Sequence, residues 1–404
     1  MTGTVATRRL RGVAMLAHAY YEEDSRVRRE AEALVRAGRP VDVFALRRPG
    51  DPPEGKLDGV AIHRLDVRRH QGAEIGVYVR EYIDFLPRAM IALTRAHRDR
   101  RFALVHVDTL PDFLVFAAMP LKLVGVPVLL DLHEAMPEFF RARFPRRASR
   151  VAQGLLRLQE RASIAAADAV VTVNDALGDR LVALGTPAAK VTVILNTPDI
   201  ALFDAASHEE RAFMADGVLR LVYAGALTPT YEIGIAIEAV AALARERPEL
   251  PVVLEVYGRG DAEPALRATA AGLGVADRVR FHGRVALEAV PAAVAGADIG
   301  LAPTRRTQFT DFSLSTKLFE YAAMRKPAVA SALPTVARYF GPDTIATYRP
   351  GDAADLARVV LGLVDDPGER EARVVASAAR ARELGWDGEA RRYCALVERL
   401  IRVG

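Results

Sequence analysis

Ser315, Thr316, Lys317 and Glu320 stand close together in the chain, and their types suit the two ends of a nucleoside diphosphate. Ser315 is a good helix N-cap. Leu318, Phe319, Ala322 and Ala323 recur at helical spacing before Lys326-Pro327 ends the run, so the pattern predicts a helix beginning at Ser315. The first amides of that helix and the positive end of its dipole form an anion site, and Lys317 adds a full charge within reach of a phosphate. Glu320 lies one turn beyond Thr316 on the same face, where a carboxylate repels phosphate but accepts hydrogen bonds from ribose hydroxyls. An ordinary capped helix with a solvated Lys and Glu would show the same residues, so this stretch alone leaves both readings open.

Leu254–Asp261 reads as a buried strand entering a glycine turn, where bare backbone at Gly258 can approach a phosphate and Arg259 can pair with it. Such turns are common, and a purely structural one fits equally. His133 and Glu134 fall just past a buried strand, at the edge where parallel sheets bind ligands, with Glu138 close behind; a loop histidine and two solvated acids is the plainer alternative. His18, Asp24 and Arg26 follow the first strand, and Asp24 suits the cap of the next helix. With one cysteine, Cys394, no Asp-x-Asp pair and no histidine cluster at ligand spacing, no metal is expected.

The elements that must position these residues are short aliphatic runs alternating with amphipathic stretches, the pattern of parallel βαβ units. Strands are predicted at Val13–Ala17, Val41–Leu46, Ala61–Leu65, Leu104–Val107, Val128–Asp131, Ala169–Val173 and Val191–Ile194, then at Leu219–Ala224, Val252–Tyr257, Val279–Phe281, Ile299–Ala302 and Ala328–Ser331. Helices are predicted over Arg26–Ala37, Ile233–Arg247 and Glu288–Ala295. Domains are expected over 1–200 and 218–385, with a linker at 201–217 and a terminal helix over 386–404. A chain of 404 residues, 51% hydrophobic and 26% charged, can bury two cores, and a lone cysteine suits a reducing, cytoplasmic setting. Arg8, Arg9 and Arg11 precede an apolar run too short for a signal-peptide core. Phe113–Leu130 is broken by Pro120, Lys122, Gly125 and Pro127, so it reads as a helix and then a strand, not as a membrane span.

Ser315-Thr316-Lys317-Leu318-Phe319-Glu320-Tyr321, followed by Lys326-Pro327-Ala328-Val329-Ala330-Ser331, resembles the donor-site helix and strand of the family-four retaining glycosyltransferases, and the resemblance covers nearly the whole chain. It implies the GT-B fold, an α/β architecture of two doubly wound Rossmann-like domains facing across a cleft, with the terminal helix returning to the first domain. The bacterial members that assemble exopolysaccharide and cell-surface glycans are the most similar. Glu320 aligns with the second Glu of the family's Glu, seven residues, Glu signature; Phe312 stands in place of the first, one residue after Asp311. By the same resemblance Gly225, Gly258, Arg259, Ser315, Thr316, Lys317, Leu318 and Glu320 hold the donor, and Arg284 and Val285 neighbour the nucleobase. His282, Asp298 and Pro303 are structural. His133 faces the transferred sugar, Glu134 and Glu138 lie on the acceptor side, and His133, Glu134 and Lys317 form the catalytic set. The family's usual Arg and Lys are missing from Tyr223–Gly234, which leaves Lys317, the amides near Thr316 and Arg259, and then Arg305, Arg306 and Arg325, to neutralise a diphosphate.

The implied activity is retaining transfer of a hexose or N-acetylhexosamine from a UDP- or GDP-type sugar to an acceptor hydroxyl of a lipid-linked or cell-surface glycan, with no metal or other cofactor. The alternatives are a nonhydrolysing nucleotide-sugar 2-epimerase, a catalytically silent nucleotide-sugar-binding protein, and a transferase acting on a small natural product. Phe139–Arg161 interleaves aromatics with cations beside the presumed acceptor loop. Two readings fit it: a patch that holds a cytoplasmic protein at the anionic inner face of the cell membrane, or a basic helix whose phenylalanines are core. Nucleic acid is not an expected partner, because the net charge is only +4 and no binding motif accompanies the run.

Overall fold

The computed structural model describes residues 10–67, 75–144, 147–198, 200–209 and 211–403; Arg8, Arg9, Arg146 and Glu210 lie outside the described residues. The chain divides into two compact units, one of Met1–Asn196 with Asp387–Gly404 and one of Thr197–Trp386. Each is an α/β unit built on one largely parallel sheet.

The first unit contains β1 (Val13–Ala17), β2 (Val41–Leu46), β3 (Glu54–Leu57), β4 (Val60–Leu65), β5 (Leu104–Asp108), β6 (Val128–Leu132), β7 (Ala169–Thr172) and β8 (Val191–Val193), in the order β3-β4-β2-β1-β5-β6-β7-β8. β1, β2, β5 and β6 are buried end to end, as strands of a parallel sheet covered on both faces must be. β3, antiparallel to β4, is not among the predicted strands: Glu54-Gly55-Lys56-Leu57 has no aliphatic run, and the pairing is set by the tight turn at Asp58-Gly59, where both residues have positive φ. Where one helix is expected after Phe113, the chain forms a 3-10 helix (Asp112–Ala118) and a short α-helix (Met119–Lys122), since Pro120 lacks the amide a continuous helix would use. The direction of strand order changes between β1 and β5, which puts a ligand crevice at their carboxyl ends.

The terminal helix, Trp386–Val403, contributes to this unit. Tyr393 is fully buried and its hydroxyl is hydrogen-bonded to His106 Nδ1 at 2.7 Å, while Arg39 pairs with Glu398.

The second unit contains β9 (Leu219–Ala224), β10 (Val252–Tyr257), β11 (Val279–Gly283), β12 (Ile299–Ala302), β13 (Ala328–Ser331) and β14 (Ala346–Tyr348), in the order β11-β10-β9-β12-β13-β14, all parallel. Its switch point lies between β9 and β12. The stretch read as a linker is anchored here at its far end: Asp298 accepts hydrogen bonds from Arg211 and from the amides of Met214 and Arg220, and Phe213 and Met214 pack against the second core. Among the described residues no helix is long and apolar enough to cross a membrane.

Candidate active site

In the second unit three loops meet at the carboxyl ends of β9, β10 and β11 with almost no side chains between them. A Cβ at Gly258 would lie 1.8 Å from the Gly225 carbonyl oxygen, and one at Gly260 would lie 2.2 Å from that of Leu227. Gly225 and Gly258 adopt φ of 156° and 140°, and their amides donate to the carbonyls of Tyr257 and Gly283. This bare surface runs up to Lys317. A Cβ at Gly225 would come within 2.8 Å of the Lys317 ammonium, which stands over the rings of Tyr231 at 4.5 Å and Tyr223 at 5.1 Å. Lys317 is only 8% exposed and has no carboxylate partner among the described residues.

The Thr316–Ala323 helix begins where the sequence predicts, with Ser315 extended at the N-cap position. Its hydroxyl, however, makes no capping hydrogen bond, so no side chain at the cap occupies the first amides. Thr316 and Glu320 are half-buried on this helix, and Leu318 is core, able to offer a ligand backbone only. Arg259 is exposed and lies across Gly283, while Arg284 and Val285 follow that glycine on the same edge. His282 stacks on Tyr257 and holds Glu255 at 2.6 Å, a structural arrangement.

The remaining cations are less suited to a diphosphate. Arg306 is paired with Asp311 at 3.0 Å, and Arg305 reaches toward Glu232 at 4.0 Å. Arg325 sits past the opposite end of the helix, toward Glu371.

In the first unit a cavity of about 190 Å³ opens at the carboxyl ends of β1, β5 and β6, lined among others by Asp24, Tyr82, Asp108, Thr109, His133 and Glu134. His133 Nε2 lies 3.2 Å from Asp131 and 3.5 Å from Asp108, which are register partners on adjacent strands. Behind them Arg26 contacts Asp131 at 2.8 Å and Glu30 at 3.1 Å. Burial by itself would lower the His133 imidazole, but Asp131 and Asp108 override it and hold it well above the usual histidine value. Burial dominates elsewhere, lowering His106 and raising Glu30 and Glu134. Ligand atoms of Glu30, His106, Asp108 and Asp131 lie within 4.8 Å of one another, yet the Arg26 guanidinium already supplies Glu30 and Asp131 with a cation.

Glu138 is clamped by Arg180 at 3.1 and 2.7 Å, and Arg180 also grips Glu160, which ties Glu138 into the structure. Asp24 caps the Ser25–Arg36 helix, close to where the sequence predicts it, and this first turn carries Arg26 inward. Asp108, Asp131, Glu30 and His106 carry no role in the sequence reading; for Asp108 and Asp131 the available signal is an acid near the end of an otherwise largely aliphatic strand.

The Phe139–Arg161 run forms parts of two helices, Met136–Arg143 and Arg150–Ala166. Phe139, Phe140 and Phe144 are half-buried, and the last two pack against each other. The exposed apolar residues are instead Val151, Leu155 and Leu158, 72%, 62% and 64% exposed at helical spacing on one stripe. Arg147, Arg150, Arg157 and Arg161 beside it are exposed and have no carboxylate partner among the described residues.

Comparison with known proteins accounts for both units. Residues 24–197 match the model of a glycosyl transferase 4-like domain, and residues 219–366 match that of glycosyl transferases group 1. The chain belongs to the family-four glycosyltransferases of the GT-B fold. This family member is 32% identical over 199 residues to a D-inositol 3-phosphate glycosyltransferase of Streptomyces avermitilis, covering 45% of the chain and 40% of that protein. It is 30% identical over 218 residues to a glycogen synthase of Mycobacterium tuberculosis, covering 53% of the chain and 49% of that protein. The matched stretches thus span half or less of those relatives. Among solved structures, a sucrose-phosphate synthase from Thermosynechococcus elongatus superposes with a TM-score of 0.77 at 18% identity, over 98% of this chain and 100% of that one. Anabaena HepE in complex with UDP and glucose superposes with a TM-score of 0.72 at 16% identity, over 96% and 100%. At those identities the likeness is one of fold.

Proposed function

We propose that this protein transfers a hexose or N-acetylhexosamine, with retention, from a nucleoside-diphosphate sugar to an acceptor hydroxyl. The observation that carries the reading is Lys317: a largely buried ammonium without a carboxylate, beside a glycine surface that admits close approach and at an uncapped helix start. A buried cation needs an anion, and a diphosphate supplies one. The UDP held by HepE agrees with this donor class. In the reaction the bond between the anomeric carbon and the β-phosphate oxygen breaks, and the acceptor oxygen bonds to that carbon on the same face. The acceptor proton passes to the departing phosphate. Lys317, the Thr316 amide region and Arg259 stabilise the charge that builds on the diphosphate, in place of the Arg and Lys absent from Tyr223–Gly234.

The experiment compares Lys317→Ala with the parent protein by calorimetry. The variant should lose affinity for nucleoside diphosphate roughly tenfold or more while binding of the uncharged nucleoside holds, a difference of about 1.5–3 kcal/mol for a charged hydrogen bond. Equal losses for both ligands would remove Lys317 from the phosphate site. Slow sugar release from the donor supports transfer, deuterium exchange at C2 would indicate an epimerase, and binding without turnover a silent protein.

For the acceptor, the Val151, Leu155 and Leu158 stripe with its four exposed arginines favours a molecule carried on an anionic membrane. Each cation near such a surface contributes about 1 kcal/mol, enough together for reversible attachment from the cytoplasmic side.

A further inference from the structure

Beneath the first unit's cavity, five elements bring their titratable groups together: Arg26 and Glu30 from the Ser25–Arg36 helix, His106 and Asp108 from β5, Asp131 from β6, His133 and Glu134 from the loop after it, and Tyr393 from the terminal helix. Asp24, Glu81 and His18 line the cavity above. Asp108 is 1% exposed, and neither of its oxygens accepts a hydrogen bond among the described residues. A carboxylate so placed requires a cation. Arg26 is committed to Asp131 and Glu30, and the cationic group in contact with Asp108 is His133, at 3.5 Å.

The charge balance leads to the same place. Burial pushes the Glu30 carboxyl up and the His106 imidazole down, so neither is the natural counter-charge for Asp108. Asp108 and Asp131 lie in register on adjacent strands, and His133 Nε2 approaches both, at 3.5 and 3.2 Å, so one positive charge on that ring answers the two carboxylates together. We propose that Asp108 and Asp131 are positioning residues that clamp the His133 imidazolium through Nε2 at the cavity wall, a fixed cation facing the bound carbohydrate. The carbohydrate half of this statement rests on the transferase reading; the clamp does not.

The test is a pH titration of the full chain labelled with nitrogen-15 histidine, from about pH 5 to about pH 9, with the His133 signals assigned by their loss in His133→Gln. Both ring nitrogens of His133 should stay protonated well past the ordinary histidine midpoint of about 6.5. Asp108→Asn should bring that midpoint down toward the ordinary value. Because Asp131→Asn also strips Arg26 of its partner, Asp108→Asn is the deciding variant, and the parent titration needs no variant at all. A His133 that titrates at the ordinary value, or that ignores Asp108→Asn, overturns the clamp. So does stoichiometric binding of zinc or magnesium that shifts the His106 and His133 signals, since the metal would then balance the charge. Sugar release from the donor should fall as pH rises through the same midpoint. A clamp seen by resonance with a rate indifferent to that midpoint overturns the carbohydrate half, and absence of any release at all fails the transferase reading while the titration still decides the clamp.

Discussion

Gly258 can be nothing but glycine while Gly225 keeps its place: the Cβ of any other residue would fall 1.8 Å from the Gly225 carbonyl oxygen. Gly258→Ala must therefore push the β9 and β10 loops apart. Two backbone segments would have to move, so a loss of about 2 kcal/mol or more in stability is expected, together with weakened donor binding. Thermal unfolding and calorimetry measure the two effects, and a variant with unchanged melting and unchanged affinity would show that the loops are not closed as described.

Glu320→Ala should weaken binding of the nucleoside as well as of the diphosphate, because the ribose hydroxyls belong to both. Hydrogen bonds to a carboxylate are worth about 1.5–3 kcal/mol, so the loss should be roughly tenfold or more. Unchanged affinity with an intact circular dichroism spectrum would take Glu320 out of the ribose site. Compared with Lys317→Ala, the two variants separate the ends of the ligand.

Asp112 gives a pH dependence with a definite sign. Burial, reinforced by Glu160, pushes its carboxyl up to about 7 from 3.8. A carboxyl raised in the folded state favours folding while protonated, so its contribution is full below about pH 4 and is lost as pH rises through about 7. Asp112→Asn stays neutral throughout and should gain on the parent between pH 5 and pH 8, by on the order of 2–4 kcal/mol at the upper end. Melting curves of the two proteins that keep a constant offset across that range would refute the assignment.

Replacing Leu155 and Leu158 with Ser should reduce binding to vesicles containing anionic lipid at any salt concentration. Replacing Arg150, Arg157 and Arg161 with Ser should reduce it most at low salt and flatten its salt dependence. Donor affinity should hold in both. Failure of the parent protein to bind such vesicles at low salt would turn the acceptor reading toward a soluble molecule.

Much of this was legible in the residue order, but unevenly. The long aliphatic strands announce themselves, since burial on both faces demands uninterrupted apolar runs. β3 does not, being polar, and β14 is only three residues long. Lys317 is readable as a charge near a helix start. Its lodging against Tyr231 and beneath Gly225 is not, because those contacts come from a loop some ninety residues earlier. Asp108 and Asp131 look like isolated acids until the β5–β6 register sets them side by side. Local chemistry is written in neighbours along the chain, whereas charge compensation depends on neighbours across it.

The bond between His106 and Tyr393 also fixes an order of events at birth. The second unit is encoded without interruption between Thr197 and Trp386, so on the ribosome all of its residues are made before Tyr393 and emerge ahead of it. The first unit begins earlier yet must wait with its ionic centre missing one wall until the final helix leaves the exit tunnel. The part of the chain translated first is thus the last to be completed.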